Sequence, residues 1–275
     1  MLAVGAAGKF AGLVVPALAE RGANVRGLVR HGEQAADVRR RGAAEVVVGD
    51  LTDRDSMKAA LAGVERVFYV APAFVEDEAE LGRAFVADAV AAGVHRIVFS
   101  SVVHPVLSRL VNHSAKAPVE EVILDAGLEF TFLHPVLFFQ MYAYRWKSMM
   151  DSGVLAEPWS AETRFSRVDY RDVADVAARA LTGDELLSGT FDLAAPGELS
   201  RHDIAALVTE VTGRPVRAQH ADPGNRVPPP MRAMFEHYDH VGLVANPLPL
   251  RAILGREPRS LRAYFEELAE KGDAS

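Results

Sequence analysis

The sequence predicts an α/β protein: a doubly wound parallel sheet, followed by a smaller C-terminal α/β lobe. Three observations carry this. The chain opens with a strand, a glycine turn, a helix and a second strand. Short apolar runs then alternate with helical patterns as far as residue 137. Beyond that point prolines gather and strands become sparse. Strands alternating with helices imply parallel pairing through right-handed crossovers. The expected domains are 1–137 and 138–275, packed as one unit because no flexible linker separates them.

The elements follow in order. Met1-Leu2-Ala3-Val4 is the first strand and runs straight into Gly5-Ala6-Ala7-Gly8-Lys9-Phe10-Ala11. An amphipathic stretch, 12–20, predicts a helix, and 24–29 a second strand that ends on Arg30. Apolar runs at 45–48, 66–70, 96–100 and 130–133 read as further strands; 56–62, 77–92 and 119–126 read as helices between them. The charged run 77–80 reads as a solvated helix face. Later, 163–170 and 189–193 suggest short strands, and 172–181, 201–212, 231–235 and 261–271 helices. Ser200 followed by Asp203 reads as a capping pair. The proline-rich stretch from Pro223 to Pro230 is expected to border a substrate cleft.

Strand, glycine turn, helix, strand is the Rossmann-type unit that binds a dinucleotide pyrophosphate. Gly5 allows the tight turn, Gly8 lets the backbone approach the phosphates, and Ala11 permits close helix–strand packing. Ala7, Lys9 and Phe10 complete the loop, whose following helix start offers N–H groups to the negative charge. An NAD-selective fold usually places Asp or Glu at the end of the second strand, on the ribose 2′-hydroxyl. Here that position carries Arg30, followed by His31. A carboxylate would repel a 2′-phosphate, whereas a guanidinium can hold it with two charge-assisted bonds. The expected cofactor is therefore NADP(H), ahead of NAD(H). The competing reading is a solvated Arg30 with Glu33 standing in as the acidic partner.

In such sheets ligands bind outside the carboxyl ends of the strands. Those ends are the glycine turn, Arg30, Asp50-Leu51, Ala71-Pro72-Ala73-Phe74, Ser100-Ser101 and His134-Pro135. Asp50 is placed to accept from the adenine amino group and Leu51 to cover the adenine face. Ala71 and Pro72 form a donor-poor wall for ribose and pyrophosphate. For Asp50 an ordinary strand-end turn is the competing reading.

Composition narrows the function classes. The net charge is −7 with both signs interspersed, which gives nucleic-acid binding no electrostatic support. The absence of cysteine removes disulfides, thiolate catalysis and zinc–thiolate sites together. The N-terminus enters the first strand at once, so no signal peptide is expected. The most apolar segment, 128–146, is broken by His134-Pro135 and charged residues, so no membrane span is expected and the location read from the sequence is cytoplasmic. His237 and His240 have metal-like spacing without a matching carboxylate cluster, so no metal is expected. Ser100-Ser101 with His104 lacks the Gly-x-Ser-x-Gly elbow of a nucleophile.

Taken together, the opening Val4-Gly5-Ala6-Ala7-Gly8-Lys9-Phe10-Ala11, the strand from Val25 to Arg30 and Gly49-Asp50-Leu51 resemble the NmrA-like branch of the atypical short-chain dehydrogenase/reductase superfamily. So do His113-Ser114-Ala115-Lys116 leading to Val119-Glu120-Glu121, Gly127 to Thr131, His134-Pro135, Asp169, Arg171 to Ala174, and Leu254 to Pro258. The resemblance covers nearly the whole chain. It implies an NADP(H)-binding Rossmann domain with a small lobe for a substrate or partner. The family holds NAD(P)H-dependent quinone reductases, reductases of plant phenolics and nicotinamide-sensing regulators.

The parent superfamily generally uses Tyr-x-x-x-Lys. Lys116 matches the lysine, as a ligand of the nicotinamide ribose, but the position four residues earlier is Asn112, whose amide has no usable acidic proton. His113, His134 and Tyr142 are the candidate proton donors, His113 with the alternative of a surface or loop histidine. His134 stands where relatives often carry Arg before the same Pro135. Pro118 places a helix start there and Lys116 in the turn before it. The aromatic run 136–146 either stacks on a flat substrate or forms core. Reduction of a quinone asks little of the protein beyond orientation, so the missing tyrosine is tolerable for a quinone, aromatic or enone-like substrate. The expected function is hydride transfer from NAD(P)H to such a small molecule. The alternative is an NADP(H) sensor acting through a protein partner without catalysis; a homodimer is left open.

Overall fold

Gly27 shows how the first crossover closes. A Cβ there would lie 2.6 Å from Cγ1 of Val38 and 3.1 Å from Cβ of Ala6, so the second helix and the glycine turn press on the same strand position. The computed structural model describes residues 1–72, 75, 77–224 and 227–273, and Ala73 and Phe74 of the expected ribose wall lie outside the described residues. The order is β1 (Leu2–Ala3), α1 (Val14–Glu20), β2 (Arg26–Val29), α2 (Ala35–Arg40), β3 (Glu45–Val48), α3 (Arg54–Leu61), β4 (Arg66–Tyr69) and α4 (Glu78–Ala91). Then follow β5 (Arg96–Ser100), α5 (Val111–Ser114), α6 (Ala117–Asp125) and β6 (Glu129–Pro135). A seven-stranded sheet runs β10-β6-β5-β4-β1-β2-β3, where β10 is Gly189–Leu193. The registers from β3 through β6 are all parallel, with Leu2 opposite both Arg26 and Val67. This is the doubly wound α/β arrangement the alternating pattern implies.

The chain divides into two compact units, but not by a single cut. The first holds residues 1–134 and 173–191; the second holds 135–172 and 192–275. The division thus falls three residues before the expected boundary at 137, and the chain returns once to the first unit. Two arginines explain the return. Arg96, 2 % exposed, donates to the carbonyls of Ala180 and Gly183 and pairs with Glu129 and Asp184, while Arg66 donates to the carbonyl of Leu181. These are the orphan carbonyls at the end of α8 (Tyr170–Thr182), so the sheet itself caps that helix. The core of this unit joins Leu2, Val4, Met57, Val67, Phe85, Ile97, Phe99, Val119 and Phe132.

In the second unit β9 (Phe165–Val168), α9 (Arg201–Thr212), α10 (Pro229–His240) and α12 (Leu261–Asp273) fall at the expected 163–170, 201–212, 231–235 and 261–271, α10 running longer at both ends. The apolar pattern did not reveal β7 (Leu137–Phe138), α7 (Trp146–Ser152), β8 (Val154–Glu157), β11 (Glu198–Leu199), β12 (Arg217–His220) and α11 (Leu248–Leu254). A three-stranded sheet runs β11-β9-β7 and a two-stranded one pairs β12 with β8. Ser200 caps α9 through a full box with Asp203, as the pair predicts. Phe139, Tyr142, Trp146, Leu155, Ile204, Val208 and Phe265 form its core. Asp172, fully buried, accepts from the backbone N–H of Arg259 and from the guanidinium of Arg256, pinning the segment before α12. Among the described residues no helix is long and apolar enough to cross a membrane.

Candidate functional site

The carboxyl ends of the parallel strands bring most of the expected residues to one edge of the first unit. The glycine turn is tight. Gly5 has φ +72°, and the amide of Gly8 donates to the carbonyl of Gly5 at 2.7 Å. A Cβ on Gly8 would stand 2.9 Å from that same carbonyl oxygen, so the turn itself requires glycine there, independently of any ligand. Its neighbours Val4 and Ala6 donate to the carbonyls of Phe68 and Leu28, anchoring the turn between β4 and β2. A 3₁₀ turn, Ala11–Leu13, precedes α1. Arg41 lies over it, donating to the carbonyl of Gly8 at 3.3 Å.

Arg30 ends β2 with a side chain 65 % exposed, and its Nε donates to Asp50 at 2.9 Å. The acidic partner therefore comes from the end of β3; Glu33, the partner weighed from the sequence, is an exposed residue of the turn after β2. Asp50 also accepts from the backbone N–H and hydroxyl of Thr52, at 2.9 and 2.7 Å. Those two bonds, more than Arg30, lower the Asp50 carboxyl to about 2. Three protein donors occupy the carboxylate, two on Oδ1 and one on Oδ2, so Oδ2 keeps one lone pair with which to accept. The sign follows: the links to Thr52 and Arg30 are complete above the ordinary carboxylate value near 3.8 and are lost as pH falls through about 2. A carboxyl NMR titration should place the Asp50 midpoint near 2, and Arg30→Ala should raise it only partway toward 3.8.

Leu51 is half-buried behind Asp50, Ala71 is 6 % exposed at the end of β4, and Pro72 is exposed. At the next strand ends, Ser100, Ser101, His134 and Pro135 are all buried. There a carboxylate that the sequence reading passed over joins two strands. Glu120, in the first turn of α6, accepts from the Ser101 hydroxyl, and His134 Nε2 lies 2.9 Å from the same Oε1. Lys116 is the N-cap residue of α6, in the turn before the helix as Pro118 implied. It is 6 % exposed and ion-paired with Glu78, itself 3 % exposed. The charged run 77–80 is thus not a solvated face throughout, for its second residue is buried. His113 is fully buried, Nδ1 at 2.8 Å from the carbonyl of Val103, and so is no surface histidine.

Tyr142 belongs to the second unit, 4 % exposed and edge-on to Phe265 at 5.2 Å. Burial pushes its phenol up to about 12, so it parts with a proton reluctantly. Phe139, Tyr142 and Trp146 of the aromatic run are core, and Phe138 meets Tyr170 edge-on at 4.8 Å; Met141 and Tyr144 are exposed. Among the described residues no group of three His, Asp or Glu side chains is arranged to hold a metal.

A family model, the NmrA-like family, matches residues 1–259. The chain belongs to the NmrA-like family. An NAD(P)H azoreductase of Xenophilus azovorans is 30 % identical over 226 residues, covering 79 % of this chain and 75 % of the azoreductase. A (4-alkanoyl-5-oxo-2,5-dihydrofuran-3-yl)methyl phosphate reductase of Streptomyces griseus is 29 % identical over 284 residues, 98 % of each chain. The fold is shared with an NADPH-dependent quinone oxidoreductase from Escherichia coli, solved with NADPH. Its TM-score is 0.84 at 22 % identity, covering 98 % of this chain and 99 % of that one.

Two residues of this NmrA-like site had a sequence signal that went unread. Glu120 lies one helical turn after Lys116, on the same face. Glu78 shares its spacing with the buried Gly82, Phe85, Val86 and Ala89 of α4, so helical periodicity places it on the inner face.

Proposed function

We propose that this NmrA-like protein is an NADPH-preferring oxidoreductase that reduces a small quinone, aromatic or enone-like substrate. The observation that carries the preference is Arg30: an exposed guanidinium at the end of β2, where an NAD-selective fold carries a carboxylate. Its bond to Asp50 runs through Nε and so turns one edge of the fork toward β3; the terminal nitrogens are the groups that would meet a 2′-phosphate. The reductase relatives, one of them an NAD(P)H azoreductase, and the quinone oxidoreductase solved with NADPH support the same reading.

In this reading the turn from Gly5 to Phe10, with Ala7 and Lys9, carries the pyrophosphate; Ala71 and Pro72 wall its path. Lys116 holds the nicotinamide ribose, with Ser100 and Pro135 beside the ring. The bound nicotinamide supplies the hydride. Reduction of a quinone to a hydroquinone takes one hydride and one proton, and His134, hydrogen-bonded to Glu120, is the histidine at the strand ends best placed to hold that proton. Tyr142 is left out of this role because its phenol is buried, bonded to Arg167 and raised by burial to about 12.

Arg30→Ala tests the reading. NADPH affinity should fall by about 1.5–3 kcal/mol, the range for hydrogen bonds to charged groups, with NADH affinity nearly unchanged. NADPH-dependent quinone reduction should show the same loss in kcat/KM. Equal losses for both cofactors would mean that Arg30 supports the β2–β3 edge and reads no phosphate.

A further inference from the structure

Glu78 and Lys116 lie 38 positions apart in sequence, yet both are more than nine-tenths buried and ion-paired. The backbone builds this meeting. Gly82 stands one turn after Glu78 on α4, and the place its Cβ would fill is taken by Val119, whose Cγ2 is 2.4 Å from it. Any side chain at 82 would push α4 off α6, so the glycine sets the contact. Lys116, three residues before Val119, is thereby delivered to Glu78. Tyr69 of β4 closes a third side. Its ring stacks on Phe85 at 4.4 Å, and its buried hydroxyl has no hydrogen-bond partner among the described residues and feels the charge of Glu78. Glu120, the other carboxylate near the start of α6, is engaged by Ser101 and His134.

A buried ion pair is a poor way to hold two helices together. Desolvation of both charges offsets most of their attraction, and an apolar pair of similar volume often serves as well or better. A retained charge pair at the strand-end edge therefore fits a task that needs the charge. We propose that Glu78 is a positioning residue for the cofactor: it fixes the charged Lys116 ammonium at the start of α6, where it meets the nicotinamide ribose. The ammonium has three donors, and one bond to Glu78 leaves donors for the two ribose hydroxyls. This rests on Lys116 being the ribose ligand, as read above.

Calorimetric NADPH titrations of the wild type, Glu78→Gln, Lys116→Met and the double variant, each paired with thermal unfolding without cofactor, test it. Lys116→Met should weaken NADPH about tenfold, the loss of one charge-assisted bond. Glu78→Gln should weaken it by a similar factor, and the double variant should be no worse than Lys116→Met alone. Full additivity, or a Glu78→Gln variant that melts earlier yet binds NADPH within twofold of wild type, would show a merely structural pair and overturn the proposal. If Lys116→Met itself left affinity unchanged, the ribose assignment would be the part that failed, and the role of Glu78 with it. Should Glu78→Gln not fold, Glu78→Asp keeps the charge on a shorter arm. Weakened NADPH binding there that disappears in the Lys116→Met background supports positioning, and unchanged binding overturns it.

Discussion

Gly8→Val should abolish measurable dinucleotide binding. Two effects add at this position. A valine side chain would stand where the pyrophosphate approaches in the proposed site, and its Cβ alone would lie 2.9 Å from the carbonyl of Gly5, closer than such atoms sit. The turn must therefore open, breaking the 2.7 Å bond from the Gly8 amide and moving the N–H groups proposed to hold the phosphates. Losing even two hydrogen bonds to a charged phosphate corresponds to about 3–6 kcal/mol, or more than a hundredfold in affinity. The glycine is exposed and outside the core, so the domain should remain folded. Calorimetry with NADPH, beside a circular-dichroism melt, separates lost binding from lost fold. Wild-type affinity in a folded Gly8→Val protein would place the phosphate elsewhere.

Arg201→Met should cost the second unit about 3–5 kcal/mol, the range for breaking a buried pair from one side. Arg201 opens α9 and is 2 % exposed. Its guanidinium reaches Glu157 of β8 at 3.3 Å, the carbonyl of Gln219 in β12 at 2.9 Å and the carbonyl of Trp159 at 2.6 Å. One side chain thus ties a helix to both strands of the two-stranded sheet. Methionine keeps the stem but leaves Glu157, 8 % exposed, with the partly exposed Arg145 at 3.4 Å as its remaining counter-charge. Urea unfolding followed by tryptophan fluorescence should show the loss, and adding Glu157→Gln should recover part of it, because the stranded charge is then removed. A change under 1 kcal/mol would mean that water replaces the guanidinium at little cost.

Much of the first unit was legible because its signals are local. The glycine turn, the strand ends and the start of α6 after Lys116 each follow from a residue type whose backbone or charge preference is strong. What remained hidden depends on partners distant in sequence. Nothing near Tyr170 says that residues 173–191 belong to the first unit, where Arg66 and Arg96 cap the last turn of α8. Two- to four-residue strands such as Glu198–Leu199 and Arg217–His220 are too short or too polar to show alternation. The bond from Arg30 that helps to hold Asp50 was hidden because the two ends of β2 and β3 meet only in the sheet. Glu78 was masked by its acidic neighbours, although the α4 periodicity pointed it inward. The aromatic run divides between core and surface residue by residue: Phe139, Tyr142 and Trp146 are buried, and Met141 and Tyr144 are exposed.

Reduction itself is tested most directly by a single turnover: the protein loaded with one equivalent of NADPH, mixed with a quinone and followed at the nicotinamide absorbance band. NADPH should be consumed with one hydroquinone formed per dinucleotide. The same experiment with NADH at equal concentration should be slower, and the difference should vanish in Arg30→Ala. Tight NADPH binding with no loss of absorbance for any quinone, azo or enone acceptor would contradict a reductase, and would favour a protein that senses the dinucleotide and carries out no chemical step.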